Sequence, residues 1–207
     1  MIKILGRSTS GNVQKALFLL EEIGKPFERE DYGRLFSNTD TEEYKALNPT
    51  SKVPTMLDGD VVVWESNSIL RYLAETQAPG FLGANASENS QINRWLDFLL
   101  ASINSGYMAA FKGSKQSAEE RPPEYAGLVA DLAANMALID AHLAGKDFFA
   151  LGKLTLADIA MAPIMRRCID FDIGQGELPN LNRWMDAMTA RPAFLKATDY
   201  SPPNTAA

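Results

Sequence analysis

The sequence predicts an α/β layer over residues 1–77 followed by an all-helical region over residues 88–207. Three observations lead there. Short β-type runs and helix-spaced apolar residues alternate up to Gln77. A stretch rich in Gly, Pro and Ala occupies 78–87 and has the composition of a linker. Beyond it, 88–112, 124–144, 155–170 and 179–190 all carry helical periodicity, and no strand pattern interrupts them.

Each element follows from its residues. Ile2 to Leu5 is a short apolar strand. From Gly11 to Gly24, Val13, Ala16, Leu17, Leu20 and Ile23 recur at helical spacing, and Gly24 and Pro26 end that helix. Residues 27–32 read as a second strand. Asp40-Thr41-Glu42-Glu43 fits a capping box for a short helix through Leu47. Pro54 to Leu57 and Val61 to Trp64 are β-rich runs joined by Asp58-Gly59-Asp60, a hairpin signal. Ser66 is placed to cap a helix carrying Ile69, Leu70 and Leu73. The order βαβ, α, β-hairpin, α packs helices on a mixed sheet. In the second half, Pro122-Pro123, Gly145 and Gly174-Gln175-Gly176 punctuate a helical bundle. The tail from Tyr200 to Ala207, with two prolines, is expected to be loosely held.

Composition removes several function classes. The 207 residues hold 20 Lys and Arg against 26 Asp and Glu, a net charge of -6. Nucleic acid or an anionic membrane as main partner would need a concentrated basic face. Cys168 is the single cysteine, so an internal disulfide is impossible and a reducing, cytoplasmic setting is expected. Met1 to Gly6 is too short an apolar run for a signal peptide, and no apolar run approaches membrane-spanning length. His142 is the single histidine, near a helix C-terminus, where solvent or the helix dipole satisfies it. One His and one Cys cannot build a typical zinc site, and no metal is expected. Nor is there a phosphate loop or a dinucleotide fingerprint. Cys168 lies in an apolar helical run and reads as core, as do Met161, Met165, Trp184 and Met188.

Four segments carry a resemblance. They are Arg7-Ser8-Thr9-Ser10-Gly11-Asn12-Val13-Gln14-Lys15, Ser51-Lys52-Val53-Pro54-Thr55, Trp64-Glu65-Ser66-Asn67-Ser68-Ile69 and Thr155-Leu156-Ala157-Asp158-Ile159-Ala160. In this order, and with Arg191-Pro192-Ala193-Phe194 near the end, they resemble the soluble, cytosolic-type bacterial glutathione S-transferases. The pair Ser10/Asn12 resembles a Ser/Asn active-site subgroup. The resemblance implies a thioredoxin-like domain at 1–77 that uses glutathione as co-substrate, a linker at 78–87 and a helical domain at 88–207. It also implies a homodimer.

What the resemblance implies has a physical rationale. Thioredoxins carry cysteines at the first helix start; this chain has none there, so the thiol arrives with the ligand. A cysteine thiol has a reference pKa of about 8.5. Lowering it by about two units takes about 2.7 kcal/mol of preference for the thiolate. A helix N-terminus and one good hydrogen bond can supply that. In the resembling enzymes the active hydroxyl or thiol precedes a basic residue by five positions. Counting back from Lys15 gives Ser10 as donor and Asn12 as auxiliary donor, with Thr9 and Ser8 as rivals. A Ser10 that only caps the helix is the plainer reading.

The remaining ligand contacts follow likewise. Pro54 resembles the family's cis-proline, which exposes the Val53 backbone for strand-like pairing with an extended tripeptide. Lys52 is expected to meet the glycyl carboxylate, Ser66 the γ-glutamyl carboxylate and Glu65 the ammonium. Thr155 and Asp158 match a capping box and are assigned to folding. Tyr107, Met108 and Phe111 are the candidates for an apolar wall around a small hydrophobic electrophile. They read equally well as core, as do Trp95 and Phe98 before them. Two other activities fit the same residues. One is glutathione-dependent disulfide or peroxide reduction. The other is a binding role without turnover, against which the tripeptide contacts argue.

Overall fold

A computed structural model describes residues 1–199; residues 200–207, including the tail expected to be loose, lie outside the described residues. The chain divides into two compact units. One is Met1–Gly80 with the described residues from Thr189 onward, and the other is Phe81–Met188.

The first unit is built on a four-stranded sheet of order β2-β1-β3-β4. Its strands are β1 (Ile2–Leu5), β2 (Phe27–Glu30), β3 (Thr55–Asp58) and β4 (Val61–Trp64). β1 and β2 are parallel, Ile2 facing Phe27, whereas β3 runs antiparallel to β1 and β4 antiparallel to β3. A parallel pair needs a crossover, and α1 (Gly11–Glu22) supplies it. This is the thioredoxin-like arrangement that the sequence leads one to expect. β2 stops at Glu30, two residues short of the expected strand. The β3–β4 turn places Gly59 at φ 60°, a conformation that favours glycine.

Two further helices complete the expected set, α2 (Glu42–Leu47) and α3 (Ser66–Gln77). Thr41 caps α2 by accepting from Tyr44 N, and Tyr44 stands where a capping box would need Glu or Gln. The cap of α3 is Glu65 and not Ser66, which is the first helical residue. A short 3₁₀ turn at Arg34–Phe36 has no counterpart in the sequence reading.

From Gly11 to Leu20 every residue of α1 except Asn12 is buried, more than one amphipathic face can explain. The reason is a last helix, α9 (Pro192–Thr198), which packs on α1. Phe18 and Phe194 meet edge to face at 5.3 Å. Arg191 Nε donates to Glu22 Oε2 at 3.0 Å, and Arg191 Nη2 pairs with Glu22 Oε1. Periodicity did not reveal this seven-residue helix, and its grouping with the sheet differs from the placement of all of 88–207 in the helical domain.

Among the described residues the second unit is all helical. The segment expected over 88–112 is two helices, α4 (Ala86–Phe98) and α5 (Asn104–Gly113), joined by a π-helical turn at Leu99–Ile103. Asn85, inside the expected linker, caps α4 by accepting from Glu88 N. α6 (Tyr125–His142), α7 (Leu156–Ile169) and α8 (Pro179–Thr189) complete the unit. A Cβ on Gly106 would lie 2.6 Å from Leu128 O, so α5 and α6 approach closely there.

α7 is the core helix, with ten consecutive residues from Leu156 to Met165 buried. Cys168, Met161, Met165, Trp184 and Met188 are buried as expected. Thr155 and Asp158 form the expected capping box. Asp158 also does more. Its carboxylate accepts from Thr155 N, Thr155 Oγ1, Phe149 N at 3.0 Å and Trp184 Nε1 at 3.1 Å. Burial pushes its pKa up, to about 6, against the pull of those four donors. Asp158→Ala leaves those buried donors unpaired and should cost about 3–5 kcal/mol. Urea unfolding should show the loss; a shift below about 1 kcal/mol would remove the hub role.

Candidate functional site

The loop after β1 is set by close approach. A Cβ on Gly6 would lie 2.5 Å from Val13 Cγ2 and 3.3 Å from Val53 Cβ. Glycine there lets the loop, α1 and the Val53 segment converge. Backbone bonds then steer the chain: Gly6 N to Glu30 O at 2.8 Å, Arg7 N to Tyr32 O at 3.2 Å and Ser10 N to Arg7 O at 3.1 Å. Gln14 reaches back from α1 and donates Nε2 to Ser8 O at 2.8 Å. Ser10 is the N-cap residue of α1, yet its hydroxyl makes no capping bond. It makes no other hydrogen bond among the described residues either. Thr9 is exposed, and Ser10 is only 8% exposed. Asn12 lies on the first turn, where its Oδ1 accepts from Ser66 Oγ at 3.4 Å.

The second segment is held from behind. The Val53–Pro54 bond is cis. Tyr44 Oη donates to Lys52 O at 2.6 Å, and Asn48 Nδ2 donates to the same oxygen at 2.9 Å. Thr55 Oγ1 lies 2.9 Å from Tyr44 Oη and accepts from Asn48 Nδ2 at 3.0 Å. Asn48 Oδ1 in turn accepts from Thr50 N and Thr50 Oγ1. These buried groups brace both sides of Val53-Pro54, and sequence reasoning missed them. The one available signal was the polar pair Asn48 and Thr55 flanking the Pro54 motif.

The third segment is the start of α3. Glu65 sits at φ 68°, an unfavourable region for a non-glycine residue and one found at ligand-binding positions. Ser66 is buried, and Lys15 Nζ donates to its Oγ at 3.4 Å. Lys15 itself is 1% exposed. Burial lowers its pKa to about 7, and the Glu65 carboxylate opposes that shift.

Four groups at these segments are uncommitted among the described residues: the Ser10 hydroxyl, the Asn12 side-chain N–H, the Lys52 ammonium and the Glu65 carboxylate, none of which makes a hydrogen bond. Two helix starts, α1 and α3, add unpaired N–H groups and positive dipole ends. The set is complementary to an extended, charged peptide carrying carboxylates and an ammonium. Val53 is half-buried and Pro54 buried.

The candidate apolar wall belongs to the helical unit. Tyr107 is 7% exposed; its ring lies 6.3 Å from Phe111 and 6.2 Å from Phe171, and its hydroxyl accepts from Arg167 Nη1 at 3.1 Å. Met108 and Phe111 are half-buried, and Lys115 Nζ sits 4.2 Å over the Phe111 ring. Trp95 is buried with Phe98 against it at 5.6 Å. His142 pairs Nε2 with Phe149 O at 2.9 Å and lies 4.4 Å from the Trp95 ring, a structural role. Burial lowers its pKa. Burial raises that of the Cys168 thiol, so it is inert. Among the described residues no group of three or more His, Cys, Asp or Glu could hold a metal ion. No helix among them is long and apolar enough to cross a membrane.

Comparison with known proteins identifies the family of both units. Residues 9–76 match the glutathione S-transferase N-terminal domain, and residues 103–192 match the C-terminal domain. Glutathione S-transferase GstB of Escherichia coli K12 is 31% identical over 201 residues, covering 95% of this chain and 97% of that protein. A theta class glutathione S-transferase from Xanthomonas axonopodis pv. citri, solved with glutathione bound, superposes with a TM-score of 0.89 at 33% identity. It covers 97% of this chain and 98% of its own. A glutathione transferase family member from Pseudomonas fluorescens Pf-5, solved with two glutathione bound, gives a TM-score of 0.87 at 25% identity over 95% of this chain and 92% of that one. The likeness runs through both units, and the chain belongs to the glutathione S-transferase family.

Proposed function

We propose that this glutathione transferase binds glutathione along Ser10, Asn12, Lys52, Val53, Glu65 and Ser66 and activates its thiol for attack on an apolar electrophile. The observation that carries the reading is the uncommitted set: a hydroxyl, an amide N–H, an ammonium and a carboxylate without hydrogen-bond partners among the described residues, beside two helix starts. The γ-glutamyl carboxylate meets the start of α3 at Ser66, and Glu65 meets the adjacent ammonium. The cysteinyl unit pairs with the Val53 backbone, and Lys52 meets the glycyl carboxylate.

The sulfur then lies at the start of α1. Ser10 Oγ–H donates a hydrogen bond to the sulfur, Asn12 Nδ2 is a second donor, and the helix dipole adds to both, while the thiol's own proton leaves to solvent. Together they favour thiolate over thiol. The thiolate forms a carbon–sulfur bond to the electrophile, and the leaving group departs with its electron pair. Holding both reactants together supplies the rest of the acceleration. The finer assignment to a Ser/Asn subgroup rests on this pair. We further propose a twofold homodimer and an electrophile site that includes Tyr107, Met108 and Phe111.

Turnover of a halogenated aromatic with glutathione, and weaker activity on a small disulfide, is the expected assay pattern; the reverse order would favour reduction. Ser10→Ala should raise the pKa of the bound thiol by about 1–2 units and leave glutathione affinity within about threefold. Ultraviolet thiolate absorbance across pH reads this directly. An unchanged titration removes Ser10 from the role. Lys52→Ala should weaken glutathione binding about tenfold, about 1.4 kcal/mol, with the bound thiol's pKa unmoved. Calorimetry checks it, and an unchanged affinity would refute the glycyl contact.

A further inference from the structure

Lys15 is a group at the site that the reaction above leaves without work. It is a lysine with almost no exposed surface, pointed into the interior of the first unit from the middle of α1. An ammonium has three donors. Lys15 has one partner, Ser66 Oγ, at the long distance of 3.4 Å. An isolated buried charge with one weak bond is expensive, and such a group sheds its proton instead. Burial lowers its pKa to about 7, and only Glu65 works against that. Other titratable groups lie on the helices packed here: Glu21 and Glu22 on α1, Arg71, Tyr72 and Glu75 on α3, and Lys196 on α9. Glu21 and Glu22 pair with Lys196 and Arg191 at the far end of α1.

The partner of Lys15 is what makes this consequential. Ser66 Oγ bridges Lys15 to Asn12 Oδ1, with 3.4 Å on each side. Ser66 is also the first residue of α3, where an incoming carboxylate would dock. A carboxylate arriving there lies one hydroxyl away from the buried amine, in a medium where charges interact strongly. We infer that Lys15 takes up a proton when the carboxylate of the γ-glutamyl group docks at Ser66, so that ligand binding and Lys15 protonation are one coupled event. The proton comes from solvent and stays on Nζ; no bond is broken in the ligand. Lys15 is thus a positioning residue that becomes fully charged only in the occupied site. The inference rests on the glutathione-binding reading and deepens it. Linkage sets the sign: a site that gains a proton on binding loses affinity as pH rises through and above 7.

The test must separate this proton from the one that glutathione's thiol releases. S-methylglutathione has no ionisable thiol and serves as probe. Calorimetric titration of the full chain in two buffers of different ionisation heat counts protons directly. The expected uptake is above about half a proton at pH 8 and close to none at pH 6, with affinity falling over that range. Lys15→Met fills the same space without charge; it should stay folded by circular dichroism, bind more weakly and take up no proton at pH 8. Binding of S-methylglutathione with no proton uptake at pH 8 would overturn the Lys15 proposal and leave the glutathione reading intact. Equal uptake by wild type and Lys15→Met would do the same. Absence of any binding, of glutathione as well as of S-methylglutathione, would instead strike down the underlying reading. Should Lys15→Met fail to fold, the proton count of the wild-type chain at the two pH values decides alone.

Discussion

The first turn of a helix carries N–H groups that the helix cannot pair with its own carbonyls. Serine is among the residues best suited to pair them, and Ser10 stands at that position in α1 without doing so. Its hydroxyl remains available beside a positive dipole end. The first unit is arranged so that this helix start is fixed in place. α3 and α9 pack on α1, Gln14 ties the loop at Ser8, and Gly6 lets the Val53 segment come close. A protein without a cysteine in this region can still prepare a site for a thiolate by holding donors where a sulfur will sit.

Preorganisation extends behind the visible contacts. Lys52 and Val53 belong to a loop, and loops are mobile unless something holds them. Here the holders are Tyr44, Asn48 and Thr55, with Asn48 using both ends of its amide. These bonds are short and mutually consistent, and those joining Tyr44, Asn48 and Thr55 are buried, the condition under which a polar network adds rigidity instead of cost. Asp158 plays the comparable part in the helical unit, where one carboxylate collects four donors around the start of α7. In both units polar side chains with no direct role in chemistry decide the shape of the backbone around them.

Much of this was legible in the residues. The short apolar runs and helix-spaced apolar residues before Gln77 mark the strands and helices within a residue or two, because their lengths and the breaks at Gly24, Pro26 and Asp58-Gly59-Asp60 separate them. Ser10, Lys52, Pro54, Glu65 and Ser66 stand out because they lie in short motifs that resemble those of the glutathione S-transferases. What stayed hidden was long-range. α9 has seven residues, too few for periodicity to register, and its partner α1 lies far away in sequence. The cap of α3 is Glu65 at positive φ, which propensity disfavours, so Ser66 looked like the better cap. Lys15 serves in the sequence only as the basic residue from which Ser10 is counted; its burial shows only once α3 and α9 pack on α1.

Thiol activation at this site depends on where the sulfur of glutathione rests relative to Ser10. A crystal structure of the chain with glutathione bound measures this without any substitution. The sulfur is expected within about 3.5 Å of Ser10 Oγ, near the start of α1, with the Val53 backbone paired to the cysteinyl unit. A sulfur placed nearest Thr9 or Ser8, with the Ser10 hydroxyl turned to cap the helix, would contradict it.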